Sequence, residues 1–259
     1  MKPDERLKII DDRYAQRRKA GNAGWADDGS YDHKARSFDR IVAAYNIPKG
    51  ARILELGCGA GNTALCIAGK GFDAYGIDIS PEGIKWAKEN AQRRHLEAHF
   101  RVGSVIDLQP FEDEFFDMVF DGDCLWMVLG ADRPACFASI FRKLKPGGIV
   151  YAQAHVVRDG FRKRYDIAPG AYFDPVRLVS TIRDVPIYQF STESGFRKEI
   201  EDAEFEILCS GNVDYDQEAD SAAGDHMPFL AGSVFVDARK PTPEKANHGM
   251  RATSQQRRA

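Results

Sequence analysis

The stretch "ILELGCGAGNTAL", from Ile53 to Leu65, decides the fold. An apolar run ends in glycines spaced G-x-G-x-G, and a helical pattern follows at once. A glycine turn between a strand and a helix lets the backbone approach a ligand closely, although the same turn can simply link the two elements. The stretch therefore predicts the strand, turn and helix that begin a nucleotide-binding α/β domain.

The alternation of apolar runs and helical patterns continues to residue 155. Strands are predicted at "ARILELG", "FDAYGID", "AHFRVGS", "FFDMVFDG" and "IVYAQAHV", with helices between most of them. This order implies a parallel sheet with right-handed crossovers. Two later runs, "EFEILCSGNVDY" and "FLAGSVFVDARK", are close enough in sequence to pair as an antiparallel edge of that sheet.

The segments outside this alternation predict the domain organisation. Two amphipathic helices predict an N-terminal helical cap over residues 1–48. Residues 49–240 then form the ligand-binding domain, with a lid-like insertion at about 158–190 that is rich in aromatic and basic side chains. The polar, proline-containing residues 241–259 predict a disordered tail.

Composition excludes several functional classes. The chain has 259 residues, of which 43% are hydrophobic, enough for a sizeable core. A net charge of -3 gives no electrostatic footprint for nucleic acid or an anionic membrane. No apolar run approaches a membrane span, and the N-terminus is charged where a signal peptide would be apolar. Five scattered cysteines without C-x-x-C predict reduced thiols and no metal site, hence a cytoplasmic protein.

Three positions discriminate among ligands. The dinucleotide fingerprint G-x-G-x-x-G needs a glycine where this chain has Asn62. Glu55, just before the turn, is poorly placed beside a pyrophosphate but is compatible with a cation. Asp78, about 20 residues beyond the first glycine, can accept ribose hydroxyls from either kind of ligand. S-adenosylmethionine carries a sulfonium and an ammonium but no phosphate, so it suits these residues better than a nicotinamide dinucleotide.

Four segments resemble the class I (Rossmann-like) S-adenosylmethionine-dependent methyltransferases: "LELGCGAGN", "GIDIS", the G-S-V after the third strand, and "LKPGG". The resemblance covers roughly residues 50–155. It implies an α/β fold with a seven-stranded, mostly parallel sheet whose last strand is antiparallel. It also implies S-adenosylmethionine as cofactor, with its methionine portion at Gly57 and Gly59, its ribose at Asp78 and its adenine beside Ile79.

Further cofactor contacts are expected at the third and fourth strands. By the resemblance, the Ser104 hydroxyl accepts from the adenine amine and the Val105 N–H donates to the ring. Many members carry Asp where this chain has Ser104, so the adenine is expected to be held more weakly. Asp121, at the end of the fourth strand, is a candidate partner for the cofactor's ammonium, and Glu55 adds negative charge nearby.

The methyl acceptor is expected beside the same strand ends, because ligands of open parallel sheets lie outside the carboxyl ends of the strands. Methyl transfer is an in-line displacement on an activated electrophile, so a base is needed only when the acceptor must lose a proton. Asp123 and His155 are candidate bases, although a turn aspartate and a hydrogen-bonded strand-end histidine are ordinary structural features. Trp126 is predicted to line the acceptor pocket, with a place in the core as the alternative.

The insertion contributes a further candidate set for the acceptor: Arg162, Arg164 and Tyr172. Clustered cations with an aromatic ring could hold a carboxylate or a phosphate, and a solvated basic loop is the alternative. The N/D-P-P-Y/F sequence typical of base- and glutamine-directed N-methyltransferases is absent at "DGDC". Together with the acidic net charge, this favours a small-molecule acceptor over nucleic acid.

The sequence therefore predicts methyl transfer from S-adenosylmethionine to an O or N atom of a small molecule. Two alternatives stay open, a nicotinamide-dependent oxidoreductase on a similar sheet and a non-catalytic module that binds S-adenosylmethionine. The residues predict no oligomeric state.

Overall fold

A computed structural model of the chain describes residues 3–25, 31–157, 164–168, 170–213 and 230–243. Within these ranges, seven strands form the main sheet: β1 (Arg52–Leu56), β2 (Asp73–Asp78), β3 (His99–Val102), β4 (Phe116–Asp121), β5 (Leu144–Val157), β10 (Glu206–Asn212) and β11 (Leu230–Arg239). The helices are α1 (Pro3–Lys19), α2 (Asp32–Tyr45), α3 (Asn62–Gly69), α4 (Pro81–Arg94), α5 (Asp132–Lys143) and α6 (Glu193–Asp202).

The strand order of the main sheet is β10-β11-β5-β4-β1-β2-β3. The neighbours from β3 to β5 are parallel, whereas β11 runs antiparallel to both β5 and β10. The predicted α/β fold with an antiparallel last strand is therefore confirmed. Because chain order reverses between β1 and β4, the loops after these strands diverge and leave a crevice at their carboxyl ends.

Both N-terminal helices pack on the main domain. Phe38 and Ile41 of α2 are buried in one cluster with Met118 and Phe120 of β4. The α2 helix therefore covers one face of the sheet and shares its core. The predicted division of the chain at residue 48 stays a prediction.

The segment predicted as a lid-like insertion contains a second, four-stranded antiparallel sheet. Its strands are β6 (Tyr165–Ala168), β7 (Ala171–Asp174), β8 (Val179–Ile182) and β9 (Val185–Gln189), in that spatial order. Arg183 and Asp184 join β8 to β9 with φ of 51° and 62°. A hairpin turn with two left-handed residues is usually indicated in a sequence by Asn-Gly or Asp-Gly. This turn has Arg-Asp instead, so the sequence did not predict it. We call this small sheet the accessory sheet.

The accessory sheet is anchored to the main domain by apolar contacts. Phe173 and Phe190 are buried in a cluster with Val157 at the end of β5. Residues 158–163, which precede this sheet, and 244–259, which make up most of the predicted tail, lie outside the described residues. None of the described helices is long and apolar enough to cross a membrane. The predicted cytoplasmic location stays a prediction.

A buried carboxylate joins α2 to β11 of the main sheet, and its removal should destabilise the fold. Asp237 of β11 is fully buried and accepts hydrogen bonds from Arg40 Nη2 and from the Tyr45 hydroxyl, both at 2.9 Å. We expect Asp237→Ala to lower the free energy of unfolding by about 2–3 kcal/mol, because both donors lose an ionised acceptor.

Urea unfolding followed by circular dichroism measures this change. The control is Lys198→Ala, which removes an exposed i,i+4 ion pair with Asp202 on α6 and should cost at most about 0.5 kcal/mol. Equal losses from both variants would contradict a structural role for Asp237.

Candidate functional site

The backbone of the glycine turn after β1 packs closely against neighbouring side chains, as its sequence predicts. Gly57 and Gly59 have φ of 63° and 47°, in the left-handed region. A Cβ atom on Gly57 would come within 2.5 Å of the Cys124 Cβ, and one on Gly59 within 2.3 Å of the Tyr14 hydroxyl. Neither position has room for a side chain, so the loop backbone itself forms this part of the site.

Asp78 lies at the end of β2 with its carboxylate held by the glycine turn. Its Oδ2 accepts from the Gly59 N–H at 2.9 Å, and its Oδ1 accepts from the Ser80 N–H at 2.8 Å. Beside it, Ile79 is 46% exposed and Val102, at the end of β3, is 50% exposed. A carboxylate next to two exposed apolar side chains suits a ribose joined to an adenine ring. The sequence prediction missed Val102, which only the β2–β3 pairing brings opposite Asp78.

Glu55 faces the first turn of α3. It is buried, and its Oε2 accepts a hydrogen bond from the Ala64 N–H at 2.8 Å. Burial raises the pKa of Glu55 to about 7, although the nearby Lys34 ammonium opposes the shift. The carboxylate thus caps a helix N-terminus and adds negative charge behind the glycine turn. Direct contact of Glu55 with a cofactor stays a prediction.

Asp121 organises the loop after β4. Its Oδ1 accepts from the Cys124 N–H at 2.8 Å and the Leu125 N–H at 3.1 Å, and its Oδ2 from the Gln153 N–H at 3.2 Å. Burial, with a contribution from the Asp123 charge, raises the pKa of Asp121 to about 7. The predicted pairing of Asp121 with an ammonium stays a prediction.

Asp123 forms an ion pair that the sequence prediction missed. Lys34 of α2 lies 2.9 Å from Asp123 Oδ2 and also donates to the Gly122 carbonyl at 3.0 Å. Burial alone would raise the pKa of Asp123, but Lys34, with smaller contributions from His33 and His155, more than offsets this effect, and the pKa lies below its usual range. The sequence contains an indication of this lysine, because Lys34 falls on the same helical stripe as Phe38 and Ile41.

A narrow cleft lies at the ends of β4 and β5, and the space between its lining atoms, open solvent included, is about 170 Å³. It is lined by the four strand-end candidates Asp121, Asp123, Trp126 and His155, together with Gln153, Ala154 and Ser233. The structure therefore brings together the residues that the sequence places around the methyl acceptor. Their individual roles in base catalysis and binding stay predictions.

Aromatic contacts form one wall of this cleft. The Trp126 ring stacks on Tyr188 of β9 with centroids 4.1 Å apart, and it meets the His155 ring edge-on at 4.3 Å. The Trp126 Nε1–H donates to the Asp123 carbonyl at 2.8 Å, while His155 Nδ1 lies 2.6 Å from the Ser233 hydroxyl. Tyr188 was missed from the sequence because nothing in the chain order relates β9 to the loop after β4.

The basic candidates of the insertion lie apart from this wall. Arg164 stacks over Tyr172 at 3.7 Å and pairs with Asp166 at 3.5 Å, and its side chain is 63% exposed. Tyr172 lies on the face of the accessory sheet opposite to buried Phe173, because successive strand residues alternate. The structure thus does not bring Arg164 and Tyr172 to the cleft. Arg162 lies outside the described residues, and the binding role of all three stays a prediction.

The adenine-side candidates form a turn after β3. The Ser104 hydroxyl accepts from the Ile106 N–H at 3.1 Å, and Val105 is buried. The hydroxyl is therefore already engaged within its own loop. The predicted contacts of Ser104 and Val105 with adenine stay predictions.

The α1 helix covers the glycine turn. Its Tyr14 hydroxyl donates to Asp78 Oδ2 at 3.3 Å, and the ring packs edge-on against Trp25 at 4.9 Å. One residue earlier, Arg13 donates to the Tyr188 hydroxyl at 3.1 Å. The same helix therefore touches both the Asp78 carboxylate and the accessory sheet. The sequence places α1 in the N-terminal cap and predicts neither contact.

Comparisons with known proteins agree with this geometry. Residues 54–152 match the family model described as a methyltransferase domain. The S-adenosyl-L-methionine-dependent Diels-Alderase iccD of Talaromyces variabilis is 32% identical over 116 residues, which are 44% of this chain and 39% of that protein. Phosphoethanolamine N-methyltransferase 1 of Arabidopsis thaliana is 33% identical over 112 residues, 42% of this chain and 22% of that protein.

The similarity extends to solved structures. A structure of SAM-dependent methyltransferases from Methanosarcina mazei has a TM-score of 0.61 at 26% identity, and the match covers 78% of this chain and 97% of that one. The chain spans less than half the length of the two curated relatives. Residues 54–152 thus form a methyltransferase domain, and its similarity to the class I, Rossmann-like methyltransferases supports S-adenosylmethionine as the cofactor.

The contact of Tyr14 with Asp78 should compete with the cofactor. A ribose hydroxyl must donate to the carboxylate that Tyr14 already contacts, so Tyr14→Phe should free an acceptor position while keeping the ring packed against Trp25. We expect S-adenosylhomocysteine to bind about 2- to 10-fold more tightly to this variant, as for the loss of one competing hydrogen bond.

Titration calorimetry measures this affinity. The matched control is Tyr45→Phe, which removes a tyrosine hydroxyl bound to Asp237 of β11, four strands away from β2 in the sheet, and should leave the affinity unchanged. Weaker binding to Tyr14→Phe would show instead that the hydroxyl is part of the bound site.

Proposed function

We propose that the protein transfers a methyl group from S-adenosylmethionine to an O or N atom of a small molecule. The proposal depends on two features that both lie at the carboxyl ends of the parallel strands. The first is the Asp78 carboxylate with the glycine turn, and the second is the cleft containing Asp123 and His155. A donor and an acceptor bound there would lie side by side, as an in-line displacement requires.

The buried carboxylates support a cationic cofactor over a dinucleotide. Glu55 and Asp121 lie behind the crevice, and burial holds the pKa of each near 7. Such groups gain from a nearby cation and repel a pyrophosphate. This physical preference opposes the alternative of a nicotinamide-dependent oxidoreductase.

The chain's own residues must align the acceptor and receive its proton. When bound, S-adenosylmethionine supplies a methyl group already activated for displacement. Trp126, supported by the stacked Tyr188 ring, offers an aromatic wall to the cleft, and His155 is a candidate base beside it. Because the pKa of Asp123 lies below its usual range, that carboxylate is better suited to orienting a donor group than to holding its proton.

The relatives bear on the acceptor only by analogy. Phosphoethanolamine N-methyltransferase 1 is named for a small acceptor with an anionic group, which supports a small molecule here. An anionic acceptor would need the basic insertion, Arg162 and Arg164 included, and the position of Arg164 does not favour this role. The Diels-Alderase relative indicates that a matching cofactor domain does not determine the reaction, so a chain that binds the cofactor without methylating is the second candidate.

Proton linkage distinguishes a cationic cofactor from a dinucleotide. An ammonium near Glu55 and Asp121 lowers the pKa of both carboxylates, so binding releases protons at pH values near 7. We expect the affinity for S-adenosylhomocysteine to rise about 3- to 10-fold from pH 6 to pH 8 and then to level off.

Calorimetry in two buffers of different ionisation enthalpy measures both affinity and protons released, with NADH as the comparison ligand. Ionised carboxylates oppose the NADH phosphates, so any NADH binding should weaken over the same range. Tight NADH binding without S-adenosylhomocysteine binding would refute the proposed cofactor.

Methyl transfer itself is tested with isotopically labelled S-adenosylmethionine and a panel of small phenols, alcohols and amines. We expect labelled product with some of them, and His155→Gln should lower kcat by about 10²- to 10⁴-fold as for a lost general base. The control is His99→Gln, which alters an exposed histidine at the amino end of β3 that contacts Asp73. Cofactor binding with no transfer to any acceptor would favour the second candidate.

A further inference from the structure

We propose that Lys34 is a positioning residue that fixes the Asp123 carboxylate to accept a hydrogen bond from a neutral O–H or N–H group of the methyl acceptor. This inference rests on the proposed function, because it concerns the acceptor of the same reaction. It assigns a role to a lysine outside the sequence motifs and defines a chemical class for the acceptor.

The first observation is the burial of Lys34. Lys34 lies on the apolar stripe of α2 and is 8% exposed. Its Nζ contacts Asp123 Oδ2 and the Gly122 carbonyl oxygen. A buried ion pair adds little net stability, because desolvation offsets much of the attraction between the charges. The main physical effect of this lysine is therefore on the charge and position of Asp123.

The second observation is that Asp123 is held on several sides. Its backbone has a φ of 66°, in the left-handed region that non-glycine residues rarely occupy. Trp126 Nε1–H binds its carbonyl, and Lys34 binds its Oδ2. Such restraint at a non-glycine residue is typical of functional sites, where the surrounding contacts maintain an unfavourable conformation.

The third observation concerns the other carboxylate oxygen. Asp123 Oδ1 is buried, and no donor in the described ranges of the chain reaches it. Leaving a buried acceptor unsatisfied is unfavourable, and more so for a charged group. Asp123 lines the cleft, so a ligand there that carries a hydrogen-bond donor would satisfy this oxygen.

The charges around Asp123 favour a neutral donor over a cationic one. Lys34 and His33 of α2, His155 of β5 and Asp121 of β4 all act on this carboxylate. Lys34 already balances the Asp123 charge, so an ammonium would be repelled by the lysine while gaining a single hydrogen bond. A neutral O–H or N–H gains a charge-assisted hydrogen bond without that repulsion.

The proton balance fits this arrangement. The C–S bond breaks with its electron pair remaining on sulfur, a C–O or C–N bond forms, and the acceptor atom loses the proton that it carried. Asp123 orients the O–H or N–H group, and His155, the histidine that lines the same cleft, takes the proton and passes it to solvent. The products are S-adenosylhomocysteine and a methyl ether or a methylated amine.

The positioning role is tested without any acceptor, by titrating the Asp123 carboxyl carbon in NMR spectra assigned with Asp123→Asn. Lys34→Met should raise the titration midpoint by about 1–3 pH units, because an opposite charge within hydrogen-bond distance is lost. Lys34→Arg keeps the charge and should restore most of the shift. An unchanged midpoint in Lys34→Met would overturn the role.

The control is Lys145→Met, which breaks another Lys–Asp pair, between Lys145 of β5 and Asp117 of β4 at 2.6 Å, and should leave the Asp123 midpoint unchanged. If Lys34→Met does not fold, Lys34→Gln gives the same test, because it can still donate to the Gly122 carbonyl but carries no charge. A midpoint in Lys34→Gln equal to that of the unmodified protein would also overturn the role.

The acceptor class is tested with three probes of similar size: benzyl alcohol, benzylammonium and benzyl methyl ether. Their affinities are measured by ligand-observed NMR with saturating S-adenosylhomocysteine. We expect benzyl alcohol to bind about tenfold more tightly than the ether, as for a hydrogen bond to a charged group, and more tightly than benzylammonium. Asp123→Ala should abolish the preference.

Equal binding of the alcohol and the ether, or tightest binding of benzylammonium, would overturn the inferred class. Binding of S-adenosylhomocysteine is recorded in the same samples. Its absence would count against the proposed function, whereas its presence with no probe preference would count against this inference alone.

Discussion

Hydrogen bonds from loop amides to buried strand-end carboxylates are the interaction on which the rest of the site depends. Glu55, Asp78 and Asp121 lie at the ends of β1, β2 and β4, and each accepts from at least one backbone N–H of an adjoining segment. A carboxylate removed from water needs such donors, and the donors in turn fix the loops that carry them. The loops are therefore ordered by the same charges that attract a cationic ligand.

The N-terminal helices complete this site. The α1 helix places Tyr14 on Asp78, and α2 places Lys34 on Asp123. Each helix thus contacts one carboxylate. The α1 helix occupies an acceptor position of Asp78, and α2 places a positive charge beside Asp123. Because α2 also shares the core of the sheet, its lysine is held as rigidly as the strand ends. The α1 helix is packed through buried Ile10 and Tyr14, which form a cluster with Ala60 and Trp86.

The sequence could place candidate residues together where local geometry governs their positions. The glycine turn, Glu55 and Asp78 follow one another within a single strand-turn-helix-strand unit, so spacing alone locates them. Asp121, Asp123, Trp126 and His155 could be grouped because parallel strands end at one edge. Tyr14, Lys34 and Tyr188 could not be grouped in this way, since their contacts join segments far apart in the chain and depend on how helices dock. Arg164 shows the converse, because its nearness to β5 in sequence did not bring it to the cleft.

The sequence by itself determined the fold class, the position of the cofactor loop and the acidic character of the crevice. These depend on periodicity, glycine conformation and residue charge, which are local properties. Only the tertiary structure decided that the insertion forms a sheet, that Trp126 stacks on Tyr188, and that the Asp123 carboxylate lies against Lys34. Those features depend on packing between distant segments. The pKa of an ionisable group in turn depends on the groups that are packed against it.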